Sequence, residues 1–337
     1  MSRQIEAIAW VDGAIRLLDQ TTIPVAEEYI SVTSVDVLID AISRLVIRGA
    51  PALGVAGAYG VALAMAQASR EGWAESHLQC EVDRIRDARP TAVNLAWGVD
   101  QVRPLMSQGF DSVLTAAHAI SEVDKKSCDA MADNGADWLV NQFGSKKLRM
   151  LTHCNTGSLA TAGIGTALGV IRRMHERGLV EEVIADETRP LLQGSRLTAW
   201  ELSVSGIPFR IEPDGAAATA ILSGMVDVAL IGADRIAVNG DSANKIGSLS
   251  VALACKEAGI PFLVVAPEST VDRTIADGSS IVIEERPDAE ITFFGGKQVA
   301  PSGAKTFNPA FDVTPARFIT AVVTDKKIYD IAQGASL

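Results

Sequence analysis

The spacing of apolar residues changes along the chain and separates two kinds of predicted structure. The opening segment AIAWVDGAIRLLDQ has two short apolar runs around Asp12-Gly13, a pattern typical of a β-hairpin. From Ser34 to Arg149, apolar residues recur at spacings of three and four, as in VDVLIDAISRLVI and SVLTAAHAISEV, which predicts helices. We therefore expect a small antiparallel sheet and a mostly helical N-terminal domain over residues 1–145.

After Lys147, short apolar runs alternate with helical patterns. The runs are KLRMLTHC, VEEVIADE, IPFRIEP, VDVALIGAD, IPFLVVAP and SIVIEER. This alternation predicts an α/β domain over residues 146–337, in which crossover helices join the strands of a parallel sheet. Ligands of such sheets bind at the carboxyl ends of the strands.

Polar residues follow the predicted strands at these ends. Because parallel strands end at one edge, we expect these side chains to lie together and to bind a phosphorylated polar metabolite. The alternative is structural: Asp186 and Asp234 cap helices or pair with Arg189 and Arg235. We favour this alternative for Asp186 and the functional interpretation for Asp234. The residues are His153, Cys154, Asn155, Asp186, Glu187, Thr188, Arg189, Asp234 and Arg235, with Asn244 and Lys245 after a turn.

Cys154 precedes NTG and the small-residue segment SLATAGIGTALGVIRR, which predicts a helix directly after the strand. A helix N-terminus at this point would stabilise a thiolate or bind a phosphate. A buried structural cysteine is the alternative.

The N-terminal domain contains a second candidate in VIRGAPALGVAGAYGVALA. Arg48 precedes Gly49, Ala50 and Pro51, and a proline in the first turn predicts the start of a helix. An arginine beside exposed N–H groups suits an oxyanion, although a small-residue helix is also typical of tight packing. Arg89, in ARPTAVNLAWG, is by default a solvent-facing arginine.

Charge and composition exclude several classes of protein. The 337 residues include 41 acidic and 30 basic side chains, a net charge of −11, which argues against general affinity for nucleic acid or anionic membranes. The four cysteines lack the paired spacing of a disulfide framework and the groups of cysteines and histidines typical of a zinc site. Glycine or charged residues interrupt every apolar run, and no leader opens the chain, so we expect a soluble cytoplasmic protein.

Several long blocks of the sequence resemble one known family. They are RGAPALGVAGAYG, RPTAVNLAWG, THCNTGSLATAGIGTALGVIR, DETRPLLQGSRLTAWEL, GADRIAVNGDSANKIG and FNPAFDVTPA. In the same order they resemble the 5-methylthioribose-1-phosphate isomerases of methionine salvage. The superfamily also includes isomerases of ribose 1,5-bisphosphate and of 5-deoxyribose 1-phosphate, and non-catalytic regulatory subunits of the exchange factor for translation initiation factor 2.

The resemblance implies a fold, a reaction and a set of residues. It implies a small N-terminal domain, a Rossmann-like C-terminal domain, a homodimer, a phosphorylated pentose as substrate and no metal or other cofactor. Cys154 and Asp234 match the catalytic pair, which the regulatory subunits typically lack. The matched substrate-binding residues are Arg48, Gly49, Ala50, Arg89, Gln193, Asn244 and Lys245.

The implied reaction explains why an acid and a thiol are needed. The anomeric carbon of an aldose 1-phosphate is blocked, so ring opening requires protonation of the ring oxygen. Asp234 can act as this acid if apolar surroundings raise its pKa. Cys154 then either moves the C2 proton as a thiolate or only stabilises charge during a direct hydride shift.

The substituent at C5 is left open. Before the small-residue helix that follows, the chain has Glu212-Pro213-Asp214-Gly215, where many salvage isomerases are expected to have a Thr-Asp pair. A preference for 5-deoxyribose 1-phosphate therefore stays open. A bisphosphate is disfavoured, since no added basic cluster is evident.

Overall fold

The protein is described by a computed structural model that covers residues 5–89 and 93–337. These residues group into two compact units. The first contains the chain up to Asp129 together with Thr156–Gly165, and the second contains Ala130–Asn155 and Thr166–Leu337. The division runs inside the long helix that ends at Phe143, whereas the boundary predicted from sequence, near residue 145, lies just beyond that helix.

The first unit opens with the predicted hairpin. Its two strands are joined by Asp12 and Gly13, whose φ angles of 50° and 80° are the left-handed values that a tight two-residue hairpin turn requires. A further strand pairs antiparallel with the second strand of the hairpin. The strands are β1 Ile8–Val11, β2 Ala14–Leu18 and β3 Tyr29–Val32.

Helices form the rest of this unit, as the apolar spacing predicts. Glycines let two of them pack closely: a Cβ on Gly57 would lie 2.4 Å from the Leu95 carbonyl oxygen, and one on Gly98 would lie 2.0 Å from that of Gly54. The helices are α1 Val35–Ser43, α2 Ala50–Glu71, α3 Glu75–Arg86, α4 Val93–Val102 and α5 Phe110–Phe143, the last continuing into the second unit.

Helix α2 continues through its glycines, contrary to the expectation that they would interrupt every long apolar run. Its length and composition alone would allow it to cross a membrane. However, 72% of its most apolar window is buried inside the protein, which is the environment of a core helix.

The described part of the second unit contains the predicted Rossmann-like sheet, with seven strands in the order β16-β15-β10-β7-β4-β5-β6. All neighbours pair in parallel except β15 and β16. The strands are β4 Leu148–Thr152, β5 Val180–Asp186, β6 Phe209–Glu212, β7 Val228–Ile231, β10 Phe262–Val265, β15 Ala321–Val323 and β16 Ile328–Tyr329.

Helices cross between these strands, and smaller strands extend the unit. The helices are α6 Ala167–Glu176, α7 Ala199–Val204, α8 Ala217–Leu222, α9 Ser248–Ala258 and the short α10 Ala289–Thr292. A second sheet has the order β11-β8-β9-β14, and β12 and β13 form a hairpin. These strands are β8 Arg235–Ala237, β9 Ser242–Lys245, β11 Val271–Asp272, β12 Phe293–Phe294, β13 Lys297–Gln298 and β14 Phe311–Thr314.

The prediction of a strand at SIVIEER is wrong. This segment is irregular, and its Val282 is 87% exposed, whereas the central strands β7 and β10 of this sheet are buried on both faces. The sheet instead continues from β10 to β15, whose three residues are all buried.

Candidate active site

The two residues matched to the catalytic pair follow neighbouring strands at one edge of the sheet. Strand β4 pairs in parallel with β7, and the Thr152 hydroxyl donates a 2.9 Å hydrogen bond to the Leu230 carbonyl. Cys154 follows β4 and Asp234 follows β7, so both leave the sheet at its carboxyl edge. Cys154 is buried, but Asp234 is exposed, so the described residues do not supply the apolar surroundings on which its role as an acid was made to depend.

The backbone of Cys154 is held in an uncommon conformation. Its φ of 63° lies in the left-handed region, which costs free energy for a residue with a Cβ. Two threonine hydroxyls hold this conformation. Thr188 Oγ1 accepts a 2.9 Å bond from the Cys154 N–H, and Thr198 Oγ1 donates a 2.6 Å bond to the Cys154 carbonyl. Sequence patterns gave no sign of Thr198, because it lies inside a helical segment.

The helix predicted directly after Cys154 begins later. Residues 155–166 contain only a short 3₁₀ turn, Ser158–Ala160, and α6 begins at Ala167. The prediction that the Cys154 thiol lies at a helix N-terminus is therefore wrong in its stated form. Small residues gave a helical pattern here, but the segment contains Gly165 at φ 101°, a value that a helix does not accommodate.

His153, beside Cys154, is fully buried and bonded through both ring nitrogens. Nδ1 lies 2.7 Å from Asp186 Oδ2, and Nε2 lies 2.8 Å from the Ile246 carbonyl oxygen. A carbonyl only accepts, so Nε2 carries a hydrogen and the ring and Asp186 share a further proton. Burial disfavours the charged ring, but the bond to Asp186 and its charge outweigh it, and the pKa of His153 is raised.

Asp186 lies opposite Glu212 in the register of β5 and β6. Burial and the nearby charge of Asp186 raise the pKa of Glu212 to about 7. Asp186 pairs with His153, so the structural alternative stated from sequence, helix capping or a pair with Arg189, does not describe it. Arg235 pairs with Asp272 and not with Asp234.

Asp214, in the segment that departs from the expected family pattern, holds the loop after β5. Its two carboxylate oxygens each accept a 2.7 Å bond, from the N–H groups of Thr188 and Arg189. The acidic residues of this segment therefore contact the strand end beside Cys154, a role that their sequence position alone did not indicate.

Among the described residues, His153, Asp186 and Asp214 place possible metal-binding atoms within 4.8 Å of one another. Both nitrogens of His153 and both oxygens of Asp214 are already engaged in hydrogen bonds. We interpret the group as a hydrogen-bond network and assign no metal to it.

Three matched substrate-binding residues lie in the second unit. Gln193 and Lys245 line one small pocket, and Gln193 Oε1 is buried without a hydrogen-bond donor among the described residues. Lys245 Nζ donates 2.8 Å to the Ala310 carbonyl, and the Asn244 amide donates 2.8 Å to Ser248 Oγ. The other lining residues are Pro190, Leu191, Ile246, Arg286, Glu290, Asn308, Pro309 and Ala310.

The remaining matched residues, Arg48, Gly49, Ala50 and Arg89, lie in the first unit. Gly49 has a φ of 90°, and a Cβ there would lie 2.5 Å from the carbonyl oxygen of Ala160, so only glycine fits. Ala50 begins α2 with proline in its first turn, which confirms the predicted helix start. Arg89 is partly buried after α3.

Comparison with known proteins decides the family. The profile of the initiation factor 2 subunit family matches residues 46–329, most of the chain. The chain belongs to this family. Among solved structures, it is similar to translation initiation factor eIF-2B subunit delta from A. fulgidus, with 40% identity, a TM-score of 0.86 and coverage of 97% of this chain and 96% of that one. It is also similar to 5-methylthioribose 1-phosphate isomerase from Pyrococcus horikoshii, with 34% identity, a TM-score of 0.87 and coverage of 97% and 93%.

Curated relatives are similar over nearly all of this chain. A probable bifunctional methylthioribose-1-phosphate isomerase/methylthioribulose-1-phosphate dehydratase from Nocardia farcinica is 51% identical, over 95% of this chain but 58% of its own length. A methylthioribose-1-phosphate isomerase from Thermosynechococcus vestitus and a 5-deoxyribose 1-phosphate isomerase from Moorella thermoacetica are each 44% identical, over 97% of this chain and 95% of theirs. These comparisons confirm the resemblance inferred from sequence.

Proposed function

We propose that this member of the family is an aldose–ketose isomerase that converts 5-methylthio-α-D-ribose 1-phosphate to 5-methylthio-D-ribulose 1-phosphate. The observation that carries the proposal is the position of Cys154 and Asp234, which follow adjacent parallel strands at the edge where such sheets bind ligands. The 44% identity to a methylthioribose-1-phosphate isomerase over 97% of the chain supports the same reaction.

In the proposed reaction, Asp234 donates a proton to the ring oxygen, and the ring opens with the phosphate still attached. Hydrogen then moves from C2 to C1 to give the 1-phosphoketose. Cys154 either removes the C2 proton or stabilises charge during a hydride shift. Because Asp234 is exposed, substrate binding must exclude water from it for the carboxyl group to work as an acid near neutral pH.

Binding of the sugar phosphate is assigned to the residues matched by the resemblance. We propose that Arg48, Gly49, Ala50 and Arg89 contact the substrate, together with Gln193, Asn244 and Lys245. Gln193 Oε1, which has no donor within residues 5–89 and 93–337, favours this role, because a buried acceptor without a donor is costly until a ligand hydroxyl supplies one. We further propose a cytoplasmic homodimer that needs no cofactor and binds neither nucleic acid nor membranes.

Two alternatives have specific support. The relative from Moorella thermoacetica is named a 5-deoxyribose 1-phosphate isomerase, at the same 44% identity. The similar structure from A. fulgidus is described as a subunit of an initiation factor, which favours binding without turnover. The presence of both Cys154 and Asp234 favours an enzyme over the second alternative.

Turnover by the purified chain tests the proposal. Phosphorus NMR follows the conversion of three substrates without added cofactor: 5-methylthioribose 1-phosphate, 5-deoxyribose 1-phosphate and ribose 1,5-bisphosphate. We expect the highest kcat/KM on the methylthio sugar. A higher value on the deoxy sugar would assign that substrate instead, and binding without conversion of any of the three would favour the regulatory alternative.

Substitution tests the residues. We expect Cys154→Ala and Asp234→Asn each to lower kcat by roughly 10²- to 10⁴-fold, as for loss of one acid–base group. Cys80→Ala, which changes an exposed cysteine of α3, is the matched control and should leave kcat unchanged. Solvent deuterium at C1 of the product would indicate proton transfer, whereas full retention of a C2 label under single turnover would remove Cys154 as the base.

A further inference from the structure

His153 connects the two parts of the second unit that the proposed reaction uses. It is the residue before Cys154, and its ring contacts the backbone just after Lys245. We propose that His153 is a positioning residue for the isomerase: its ring fixes the Ile246-Gly247 turn, and with it Asn244 and Lys245, relative to Cys154. This inference rests on the proposed function and adds a residue to it.

The contact between ring and turn is specific. His153 Nε2 donates a 2.8 Å hydrogen bond to the Ile246 carbonyl. Gly247 has a φ of 110°, and a Cβ on it would lie 2.6 Å from His153 Cε1. The turn therefore lies too close to the ring for any residue other than glycine. The Asp312 carboxylate supports the turn from β14 by accepting bonds from the N–H groups of Gly247, at 2.8 Å, and Leu249, at 3.1 Å.

The other side of the ring is held by two carboxyl groups. Asp186 bonds Nδ1 at 2.7 Å and lies opposite Glu212 in the sheet register. Asp186 Oδ1 and Glu212 Oε1 are both buried without a donor among the described residues. A proton on Glu212 supplies that donor. The chain Glu212–Asp186–His153 then ends at Ile246 with every hydrogen bond satisfied.

The groups that surround His153 make the charge of the Glu212–Asp186–His153 chain depend on pH. The titratable groups that act on the His153 ring, Asp186 and Glu212 are Asp214, Asp312, Cys255 and Arg210, and Arg210 also pairs with Glu182. Loss of a proton from the chain as pH rises therefore adds negative charge to a buried acidic group. We expect the positioning to weaken on the alkaline side of neutrality.

Two substitutions separate positioning from general packing. His153→Phe keeps a ring but cannot bond, and we expect KM for the sugar phosphate to rise by roughly tenfold or more, as for loss of a partner that orients binding groups. His153→Gln retains a side-chain donor for the Ile246 carbonyl, and we expect its KM to stay within about threefold of wild type. Because the amide does not titrate, the alkaline fall in kcat/KM should move or disappear in this variant.

His175→Gln makes the same substitution on α6 and should change neither KM nor the pH profile. If His153→Phe does not fold, the pH profile of His153→Gln decides alone. An unchanged alkaline limb in His153→Gln, or an unchanged KM in a folded His153→Phe protein, would overturn the inference while wild-type turnover still supports the function. Absence of wild-type turnover on all three sugar phosphates would overturn both.

Discussion

The two ends of strand β4 place buried carboxyl groups in opposite electrostatic surroundings. At the amino end, Asp227 accepts 2.8 Å bonds from Lys146 Nζ, Arg149 Nη2 and the Arg149 N–H. Burial disfavours its charge, but the bonds from Arg149 and Lys146 outweigh this effect and lower the pKa of Asp227 to about 2. At the carboxyl end, burial raises the pKa of Asp186, which faces a histidine and another acidic side chain.

The difference shows that partners, and not depth alone, decide the charge of a buried carboxyl group. Asp227 and Asp186 are 8% and 1% exposed, yet only Asp227 has two full cations as partners. The amino end is therefore a fixed ion cluster that joins β4 to β7. The carboxyl end holds a proton that can be lost near neutral pH, which is a property of functional sites.

The largest expected effect comes from removing the carboxylate at the amino end. Asp227→Ala leaves the Arg149 N–H and guanidinium without their acceptor. We expect the free energy of unfolding at pH 7 to fall by roughly 2–3 kcal/mol, less than for a fully enclosed pair because Lys146 and Arg149 are partly exposed. Urea unfolding measures the change.

Asp137→Ala is the matched control for this substitution. Asp137 pairs with Arg177 at 2.7 Å, but its side chain is 65% exposed, so we expect a change below about 1 kcal/mol. Equal losses in the two variants would contradict the view that burial gives the amino-end cluster its strength.

An intermediate effect is expected at the carboxyl end and appears as a pH dependence. The pKa of Glu212 is raised from its ordinary 4.5 to about 7, so its contribution to stability is complete below pH 4.5 and is lost as pH rises through about 7. The free energy of unfolding should therefore decrease between pH 5 and 7. The slope from one proton is at most ~1.4 kcal/mol per pH unit, and less here because Glu212 is only partly buried.

Glu212→Gln should flatten this slope, since an amide donates to Asp186 at every pH. Asp227 does not contribute to the pH dependence in this range, because its contribution to the free energy of unfolding is lost only as pH falls from 3.8 toward 2. Equal slopes in wild type and Glu212→Gln would show that Glu212 does not hold the proton.

Sequence patterns predicted most of this architecture because apolar spacing reports directly on burial. The hairpin at Asp12-Gly13, the helical stretch and the strands β4, β5, β6, β7 and β10 follow from it. The pattern failed at SIVIEER, where apolar residues are exposed, and after Cys154, where small residues gave a helical spacing. In both segments the backbone follows tertiary contacts that a local pattern does not contain.

The candidate site was predictable in part for the same reason. Strand ends identified Cys154, His153, Asp186 and Asp234, because parallel topology alone brings such positions to one edge. The pairing of Asp186 with Glu212 depends on the register between β5 and β6. The hydrogen bond from Thr198 to the Cys154 carbonyl depends on how a helical segment packs against the strand end. Neither relation has a signature in local sequence.

The smallest effect distinguishes the two cations of the amino-end cluster. Lys146 donates one bond to Asp227 from a side chain that is 52% exposed, whereas Arg149 donates from both its backbone and its guanidinium. Lys146→Gln should therefore lower the free energy of unfolding by less than ~1 kcal/mol, as for an exposed pair. Arg149→Gln should cost more, since it removes a planar group that binds both carboxylate oxygens. Urea unfolding of both variants at pH 7 measures the order. A larger loss for Lys146→Gln would mean that an exposed lysine holds the pKa of Asp227 low, and the contrast between the two ends of β4 would then depend on a solvent-exposed ion pair and not on the bonds from Arg149.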